Sequence, residues 1–228
     1  MSHYVNIHTH FNNYIDNNEF IEIQNIDVDN IVNVDVSHFY SIGIHPWDCQ
    51  QSTVNSQQIL SKITQQLENL ATQQLKAIGE CGLDRACDTD FELQKEIFIK
   101  QIELSEQFNK PLIIHAVRSY PDIISIRKKT KAKQTWIIHG FQGNKQSTEQ
   151  LLKHNGIYLS LGDVLLNNES KAKQLLQTIP LERLFLETDV SEIKIADVYE
   201  KASLLLGIEM DKLRNDIFNN FVKIFGHI

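Results

Sequence analysis

The sequence has few residues of the kinds that mark non-globular chains. It contains 9 glycines and 4 prolines among 228 residues, too few for a collagen-like or low-complexity protein. No stretch approaches the roughly 18 consecutive apolar residues of a membrane-spanning helix, and the start of the sequence lacks a basic segment followed by an apolar run. These absences predict a soluble protein of the cytoplasm without a membrane partner.

Cysteine is also scarce, with only Cys49, Cys81 and Cys87. A small odd number does not suit a disulfide framework, and no second cysteine pair is present to complete a zinc ribbon. We therefore interpret all three as structural residues of a protein in a reducing compartment.

Positive charge is the third shortage. There are 22 Lys and Arg residues against 29 Asp and Glu residues, which gives a formal charge of −7. Proteins that coat DNA non-specifically are usually basic, because neutralisation of phosphates supplies their affinity, so this class is excluded. An enzyme that holds phosphates through bound cations remains compatible with the composition, since such ions can be the largest local charges in a site.

Short β-type runs alternate with longer helical patterns along the chain. Strands are predicted at 4–7, 20–26, 39–44, 75–80, 112–115, 135–139, 157–161 and 184–187, and helices at 56–71, 91–108, 120–129, 147–154, 169–178, 195–206 and 210–225. Alternation of this kind implies a parallel sheet, and eight units imply a TIM-type (β/α)8 barrel formed by a single domain over residues 1–228. Residues 11–38 show no helical periodicity, so the first crossover is predicted to be shortened and to be a loop.

Metal-binding side chains fall at the ends of these predicted strands. His8 and His10 are two residues apart, so in a strand they point to the same side. Because barrels place their sites at the carboxyl ends of the strands, we expect one site built from His8, His10, Glu80, His115, His139 and Asp189. Four imidazoles and two carboxylates suit a pair of divalent ions of the zinc or manganese kind. A single histidine at a strand end is usually a packing residue, and it is the shared placement of six that favours a metal site.

The motifs around these residues resemble the TatD-type metal-dependent hydrolases, often described as TatD DNases. The matching segments, in the family's order, are NIHTH (6–10), SIGIHPWD (41–48), AIGECGLD (77–84), PLIIHAVRS (111–119), IIHGFQGN (137–144), IYLSLGD (157–163) and IPLERLFLETD (179–189). The resemblance implies a TIM barrel that hydrolyses phosphodiester bonds of nucleic acid with divalent ions such as Mg, Mn or Zn.

Carried over by position, the resemblance implies two metal ions. His8, His10 and Asp189 match ligands of one ion, and His115 and His139 match ligands of the other. Glu80 matches the carboxylate shared between them, so Glu80 and Asp189 are also the expected catalytic residues.

The chain departs from the family's pattern at three places. The segment between His10 and His45 is shorter than usual, and the proline-rich loop that typically follows Asp189 is missing. Position 85 is Arg where an aromatic residue is common. All three places are expected near the bound substrate and none of them is a metal ligand. The metal site is therefore expected to be intact, while the identity of the substrate is left open.

Several further residues are candidates for binding substrate. His45 could contact a phosphate, orient a metal ligand or fix its own loop. Arg118 could make a bidentate phosphate contact or a surface ion pair, and Trp47 could stack on a base. Asp84 could hold Arg85 or a ligand histidine, or cap a helix. Phe141 is better explained by core packing than by stacking.

Three functions compete for this set of residues. The first is two-metal hydrolysis of phosphodiesters, with nucleic acid as a weakly bound substrate and no obligate protein partner. The second is hydrolysis of an amide, ester or lactone of a small molecule by the same metal site. The third is a barrel without catalysis, kept for interactions. Loss of ligands would mark that last class, and none of the six is lost.

Overall fold

The computed structural model of the chain describes residues 3–11, 19–26, 38–50, 53–68 and 74–226. Within these ranges there are eight strands, which alternate with helices from the third strand onward, and the hydrogen-bonded order of the strands in the sheet follows the sequence. The strands are β1 Tyr4–Thr9, β2 Phe20–Ile26, β3 Phe39–Ile42, β4 Leu75–Asp84, β5 Leu112–Val117, β6 Trp136–Ile138, β7 Ile157–Leu161 and β8 Leu184–Leu186. This confirms the alternation predicted from the sequence.

The helices agree with the sequence pattern to within a few residues at most ends. They are α1 Thr53–Glu68, α2 Phe91–Phe108, α3 Tyr120–Thr130, α4 Lys145–Leu152, α5 Val164–Asn167, α6 Glu169–Thr178, α7 Ile195–Leu206 and α8 Met210–Phe225, with 3-10 helices at Pro46–Gln50 and Leu181–Arg183. The four-residue helix α5 was not predicted, because it is too short to show a periodic pattern. The prediction of a loop as first crossover falls largely on residues 12–18 and 27–37, which lie outside the described residues.

The chain divides into two compact units, one formed by residues 1–24 and 138–228 and the other by residues 25–137. Below they are called the outer unit and the inner unit, after their positions in the sequence. The single domain expected from the sequence stays a prediction.

In the outer unit, β1 pairs in parallel with β2, and β7 pairs in parallel with β8. An isolated parallel bridge between Thr9 and Asp189 joins the end of β1 to the segment after β8. Helix α7 is held to β1 by Tyr199, whose buried hydroxyl accepts from the N–H of Val5 and donates to its carbonyl, both at 3.0 Å. The carboxyl end of β1 is therefore fixed against the chain that follows β8.

In the inner unit, β3, β4 and β5 are adjacent parallel strands. Side chains of β3 and β4 share one buried core with side chains of α1, α2 and the segment after β3, formed by Tyr40, Ile42, Ile44, Cys49, Ile63, Leu75 and Ile97. Helix α2 also presents two buried glutamines, seven residues apart on one face, to the main chain beside the site. Gln94 bonds both the N–H and the carbonyl of Asp84, and Gln101 does the same for Ile44, at 2.8–3.1 Å. Such paired contacts satisfy buried backbone groups and fix the chain locally.

Two expectations from composition can be compared with the fold. In the described ranges no helix combines the length and the apolar character needed to cross a bilayer. Cys49, Cys81 and Cys87 are all free thiols. Burial raises the pKa of Cys49 to about 12 and that of Cys81 well above its ordinary value, which agrees with structural rather than reactive roles.

Candidate metal centre

The outer unit brings two histidines of the first strand to one carboxylate. The Nε2 atoms of His8 and His10 lie 3.4 and 3.6 Å from Oδ1 of Asp189. His8 is fully buried within β1, whereas His10 and Asp189 are each about one-third exposed (35 %). The spacing of two residues thus places both imidazoles on the same side, as predicted.

The main chain explains why these three residues meet. The N–H of Asp189 donates to the carbonyl of His8 at 3.1 Å, and the N–H of His10 donates to the carbonyl of Asp189 at 3.0 Å. Asp189 has a φ of 52°, a left-handed conformation that Asp and Asn adopt more readily than most residues. Behind it, Asn6 exchanges side-chain hydrogen bonds with both the N–H and the hydroxyl of Thr188.

His139 completes this group. Its ring centroid lies 4.3 Å from that of His8, and donor atoms of His8, His139 and Asp189 all lie within 4.8 Å of one another. The structure therefore places four of the six predicted ligands together in the outer unit. The assignment of His139 and His115 to the same ion stays a prediction.

Glu187 is a residue of this site that sequence reasoning missed. It is fully buried directly after β8, and its Oε1 accepts the N–H of Gly140 and lies 3.6 Å from Nδ1 of His139. A carboxylate behind a histidine is a common way to orient a metal ligand. The available signal was the Glu of the LETD segment, two residues before Asp189, which could have suggested a carboxylate on the same side of the extended chain.

A small cavity opens beside Asp189 in the outer unit, with a volume of about 370 Å³ including its opening to solvent. Three carboxylates, Asp163, Glu187 and Asp189, contribute to its wall, together with the polar side chains of Gln142 and Ser191. No Lys or Arg is among the described residues that line it. Hydrogen-bond donors are thus better suited to this cavity than free anions.

In the inner unit, Glu80 lies between two histidines. Its Oε1 is 2.9 Å from Nδ1 of His115 and 3.1 Å from Nε2 of His45. Glu80 and His115 were predicted ligands, and the structure brings them together. His45 was predicted to contact substrate, orient a ligand or fix a loop, and its contact with Glu80 matches the second of these roles.

Asp84 holds the other side of His115. Its Oδ2 lies 3.1 Å from Nε2 of His115 and accepts the indole N–H of Trp47 at 2.7 Å, while Oδ1 accepts the N–H of Ala86. Burial opposes ionisation of Asp84, but the hydrogen bonds from Trp47, Ala86 and His115 outweigh it and lower the pKa. The possible helix-capping role of Asp84 is wrong, because Asp90 caps α2 by accepting the N–H of Leu93.

Glu80 is not at the end of its strand, as the sequence suggested, but the sixth of ten residues in β4. The strand continues because glycines let it lie close to β5. A Cβ on Gly79 would come within 2.4 Å of the carbonyl oxygen of Ile113, and one on Gly82 within 2.1 Å of that of His115. The register with β5 also shifts between Ile78 and Cys81. The N–H of Glu80 donates to Oδ1 of Asn25 at 2.7 Å, which fixes this ligand from the main chain.

The remaining residues that were considered for substrate binding differ in their exposure and in their contacts with the protein. Arg118 is exposed, follows His115 by three residues, and has no hydrogen bond or ion pair with any residue that the structure describes. Arg85 instead makes two bonds to Asp122, at 2.8 and 3.1 Å. Trp47 is 60 % exposed, so its ring face is accessible, and Phe141 is fully buried in the core as expected.

These donors fit divalent ions. Tetrahedral zinc with bonds of about 2.05 Å separates its ligand atoms by roughly 3.3 Å, close to the 2.9–3.6 Å between the histidine nitrogens and carboxylate oxygens of both units. Imidazole and carboxylate are ligands suited to zinc and manganese. Such donors are offered in the outer unit by His8, His10, His139 and Asp189, and in the inner unit by Glu80 and His115.

Comparison with known proteins finds relatives that are described as metal-dependent hydrolases. The chain is 34 % identical to the uncharacterized metal-dependent hydrolase YabD of Bacillus subtilis over 66 % of its own length and 58 % of that protein's length. It thus spans less than two thirds of this relative. The crystal structure of YjjV, a TatD homologue of Escherichia coli, superposes with a TM-score of 0.80 and 22 % identity, covering 91 % of this chain and 87 % of YjjV.

A mutant PTE-like lactonase of Deinococcus radiodurans shares the fold more distantly, with a TM-score of 0.60 and 13 % identity over 83 % of this chain and 73 % of the lactonase. These likenesses confirm the α/β fold of TIM-barrel type. The family model of TatD-related DNases matches residues 21–226. The match includes Glu80, His115, His139 and Asp189 and begins after His8 and His10, and the chain belongs to this family of metal-dependent hydrolases.

Proposed function

We propose that the chain is a metal-dependent phosphodiesterase, a deoxyribonuclease that cleaves short or single-stranded DNA in the cytoplasm. The observation that carries this proposal is Arg118, an exposed guanidinium that follows the candidate ligand His115 by three residues and makes no hydrogen bond or ion pair with the described part of the chain. A planar guanidinium is well suited to bidentate contact with a phosphate. Arg85, which follows Glu80 by five residues, is instead bound to Asp122.

The metal assignment follows the family resemblance. His8, His10 and Asp189 are assigned to one divalent ion, His115 and His139 to the second, and Glu80 to both. Ions of this kind supply Lewis acidity and lower the pKa of water. Both ions, and Mg, Mn or Zn as their identity, are part of the proposal.

The chain's own residues then divide the work of hydrolysis. Asp189 accepts a proton from the attacking water, because its carboxylate is partly exposed and held in place by its main-chain bonds to β1. Arg118 donates N–H groups to the non-bridging oxygens of the phosphate and stabilises the charge that develops there. The exposed ring of Trp47 offers a surface on which a base can stack, worth about 1–3 kcal/mol.

Weak binding of nucleic acid follows from the charge of the chain. A protein with a net charge of −7 has few cations to follow a phosphate backbone, and Arg118 is the exposed guanidinium that we place beside the candidate ligands. With two or three phosphate contacts, the logarithm of affinity for a single strand falls with the logarithm of salt concentration with a slope of roughly −1.5 to −2.

Hydrolysis of a small amide, ester or lactone is the second candidate. It is favoured by the cavity beside Asp189, whose described lining has carboxylates and no Lys or Arg. A neutral substrate with hydroxyl or amide donors would fit this cavity better than a phosphate chain. An ion held by the same ligands would then supply the Lewis acidity that polarises a carbonyl.

A direct assay separates the two. The protein is loaded in turn with Mg, Mn and Zn and given a labelled single-stranded oligonucleotide, a double-stranded one, and a set of esters and lactones. We expect metal-dependent shortening of the single strand, lost in Asp189→Asn. Turnover of an ester or lactone without nuclease activity would overturn the proposal in favour of the second candidate.

A further inference from the structure

A ring of hydrogen-bonding contacts in the inner unit contains both histidines that face Glu80. The main-chain N–H of Trp47 donates to Nδ1 of His45 at 3.2 Å, and Nε2 of His45 lies 3.1 Å from Glu80. Glu80 contacts His115, His115 contacts Asp84, and Asp84 accepts the indole N–H of Trp47. Trp47 thus acts on both histidines, on one through its backbone and on the other through its side chain and Asp84.

By distance alone, His45 would be a third ligand of a metal held by Glu80 and His115, since donor atoms of all three lie within 4.8 Å of one another. The hydrogen bond from Trp47 argues against this. A nitrogen that accepts a hydrogen bond carries no proton, so neutral His45 must carry its proton on Nε2. Nε2 is then a donor, and a metal ligand needs an unprotonated nitrogen.

We propose that His45 is a positioning residue and not a metal ligand: its Nε2–H, fixed by the Trp47 N–H, donates to Glu80 and orients this carboxylate. The inference rests on the proposed function only in taking Glu80 as a metal ligand. His115 differs from His45 because both of its nitrogens face carboxylates, Glu80 on one side and Asp84 on the other. Nδ1 of His115 is therefore available for a metal while Nε2 donates to Asp84, a common arrangement for metal-bound histidine.

The location of Trp47 makes the arrangement specific. Trp47 belongs to the 3-10 helix Pro46–Gln50, and its N–H reaches back to a side chain two residues earlier. The carbonyl of His45 accepts the N–H of Asp48 at 3.0 Å and the thiol of Cys49 at 3.5 Å. The backbone on both sides of His45 is therefore held, and the imidazole ring has little freedom for a rotation that would swap the positions of Nδ1 and Nε2.

The first test measures metal content, with His45→Gln compared with His115→Asn after loading with Mn or Zn and gel filtration. We expect His45→Gln, which keeps an N–H donor near Glu80, to keep the metal content of the unchanged protein and His115→Asn to lose about one equivalent. Loss of an equivalent in His45→Gln, with thermal melting unchanged, would overturn the proposal. This readout needs no substrate, so it stands even if the nuclease assay fails.

The second test observes the tautomer directly. In protein labelled with ¹⁵N-histidine, long-range proton–nitrogen correlation spectra distinguish Nε2–H from Nδ1–H, and the His45 signals are identified by their loss in His45→Gln. We expect the Nε2–H form, both in the unchanged protein and in Trp47→Phe, which keeps the main-chain N–H. An Nδ1–H form would refute the inference.

The third test uses the geometry of the amides. The side-chain N–H of Gln reaches about as far as Nε2 of His, whereas Asn reaches only as far as Nδ1. Loss of an outer hydrogen bond to a ligand costs about 10–100-fold in metal affinity or activity. We expect His45→Asn to lose this much affinity for the metal at Glu80 and His45→Gln to recover most of it. Equal losses in the two variants would contradict a donor role.

Discussion

The main-chain N–H of Asp189 donates to the carbonyl of His8 at 3.1 Å, in a two-residue ladder that the N–H of His10 completes. These ligands are therefore aligned by their backbones and do not depend on one another's side chains. A substitution that changes the ligand atom alone should leave the rest of the site in place.

Asp189→Asn tests this. Asn tolerates the left-handed conformation of residue 189, so we expect thermal melting to change by less than about 4 °C, which corresponds to roughly 1 kcal/mol. Metal affinity should fall by more than the roughly 100-fold that loss of an outer-shell partner costs. Calorimetric metal titration and a melting curve measure the two effects. A large loss of stability without loss of metal binding would contradict the assignment of Asp189 as a metal ligand that is held in place by its backbone.

Glu187→Gln tests the carboxylate behind His139. Gln keeps the size and an acceptor for the N–H of Gly140 but removes the charge near Nδ1 of His139. We expect metal affinity to fall by about 10–100-fold. Glu169→Gln is the matched control, because Glu169 is an exposed residue paired with Lys201, and it should leave metal affinity unchanged. Unchanged affinity in Glu187→Gln would assign this residue to structure alone.

Arg118→Gln tests the phosphate contact. We expect KM for a single-stranded oligonucleotide to rise by about tenfold at normal metal content, which is the weight of one charge-assisted contact of about 1.5 kcal/mol. The salt slope of binding should decrease in magnitude by about 0.7. Arg85→Gln is the control, since Arg85 is paired with Asp122, and its KM should stay within about twofold of the unchanged protein. Equal effects of the two substitutions would argue against a specific role for Arg118.

Cys49 gives a prediction for alkaline pH. Burial, and then the nearby charge of Asp48, raises the pKa of this thiol from 9.0 to about 12. In the unfolded chain the thiol ionises first, so its contribution to stability is complete below pH 9.0 and is lost as the pH rises from there to about 12. The loss amounts to about 1.4 kcal/mol per pH unit.

Urea unfolding at about pH 7.5 and about pH 10 measures this loss of stability, with Cys49→Ala as the comparison. The difference in free energy of unfolding between the two proteins should shrink by about 1.4 kcal/mol at the higher pH. A constant difference would show that the thiol does not ionise differently in the two states.

Much of the fold could be predicted from the sequence because its signals are local. Alternation of short apolar runs with helical periodicity located every one of the eight described strands, although it ended β4 four residues too early, at Glu80 instead of Asp84. The local pattern places the end of the strand at Glu80 because a charged residue there follows the apolar run. Gly82 instead permits close approach to β5, and a contact between strands that are distant in sequence has no local signal.

The site was predictable to a similar degree. Histidines at strand ends, spaced as in His8 and His10, indicate ligands because the period of a strand fixes which side they face. Glu187 has only its spacing of two residues from Asp189, and a carboxylate after an apolar run can face the core or solvent. The buried glutamines of α2 have no mark of this kind, because Gln94 and Gln101 look like the polar face of a helix. Only the packed structure shows that they support the site.

Glu80 lies within a strand, whereas His10 and Asp189 lie just past the ends of theirs. A residue inside β4, with glycines on both sides that admit no side chain, keeps its position when neighbouring connections gain or lose residues. Insertions and deletions in the loops between strands and helices can then change which substrate binds without moving Glu80. Related proteins with such a strand can therefore differ in substrate while they keep the same carboxylate in place.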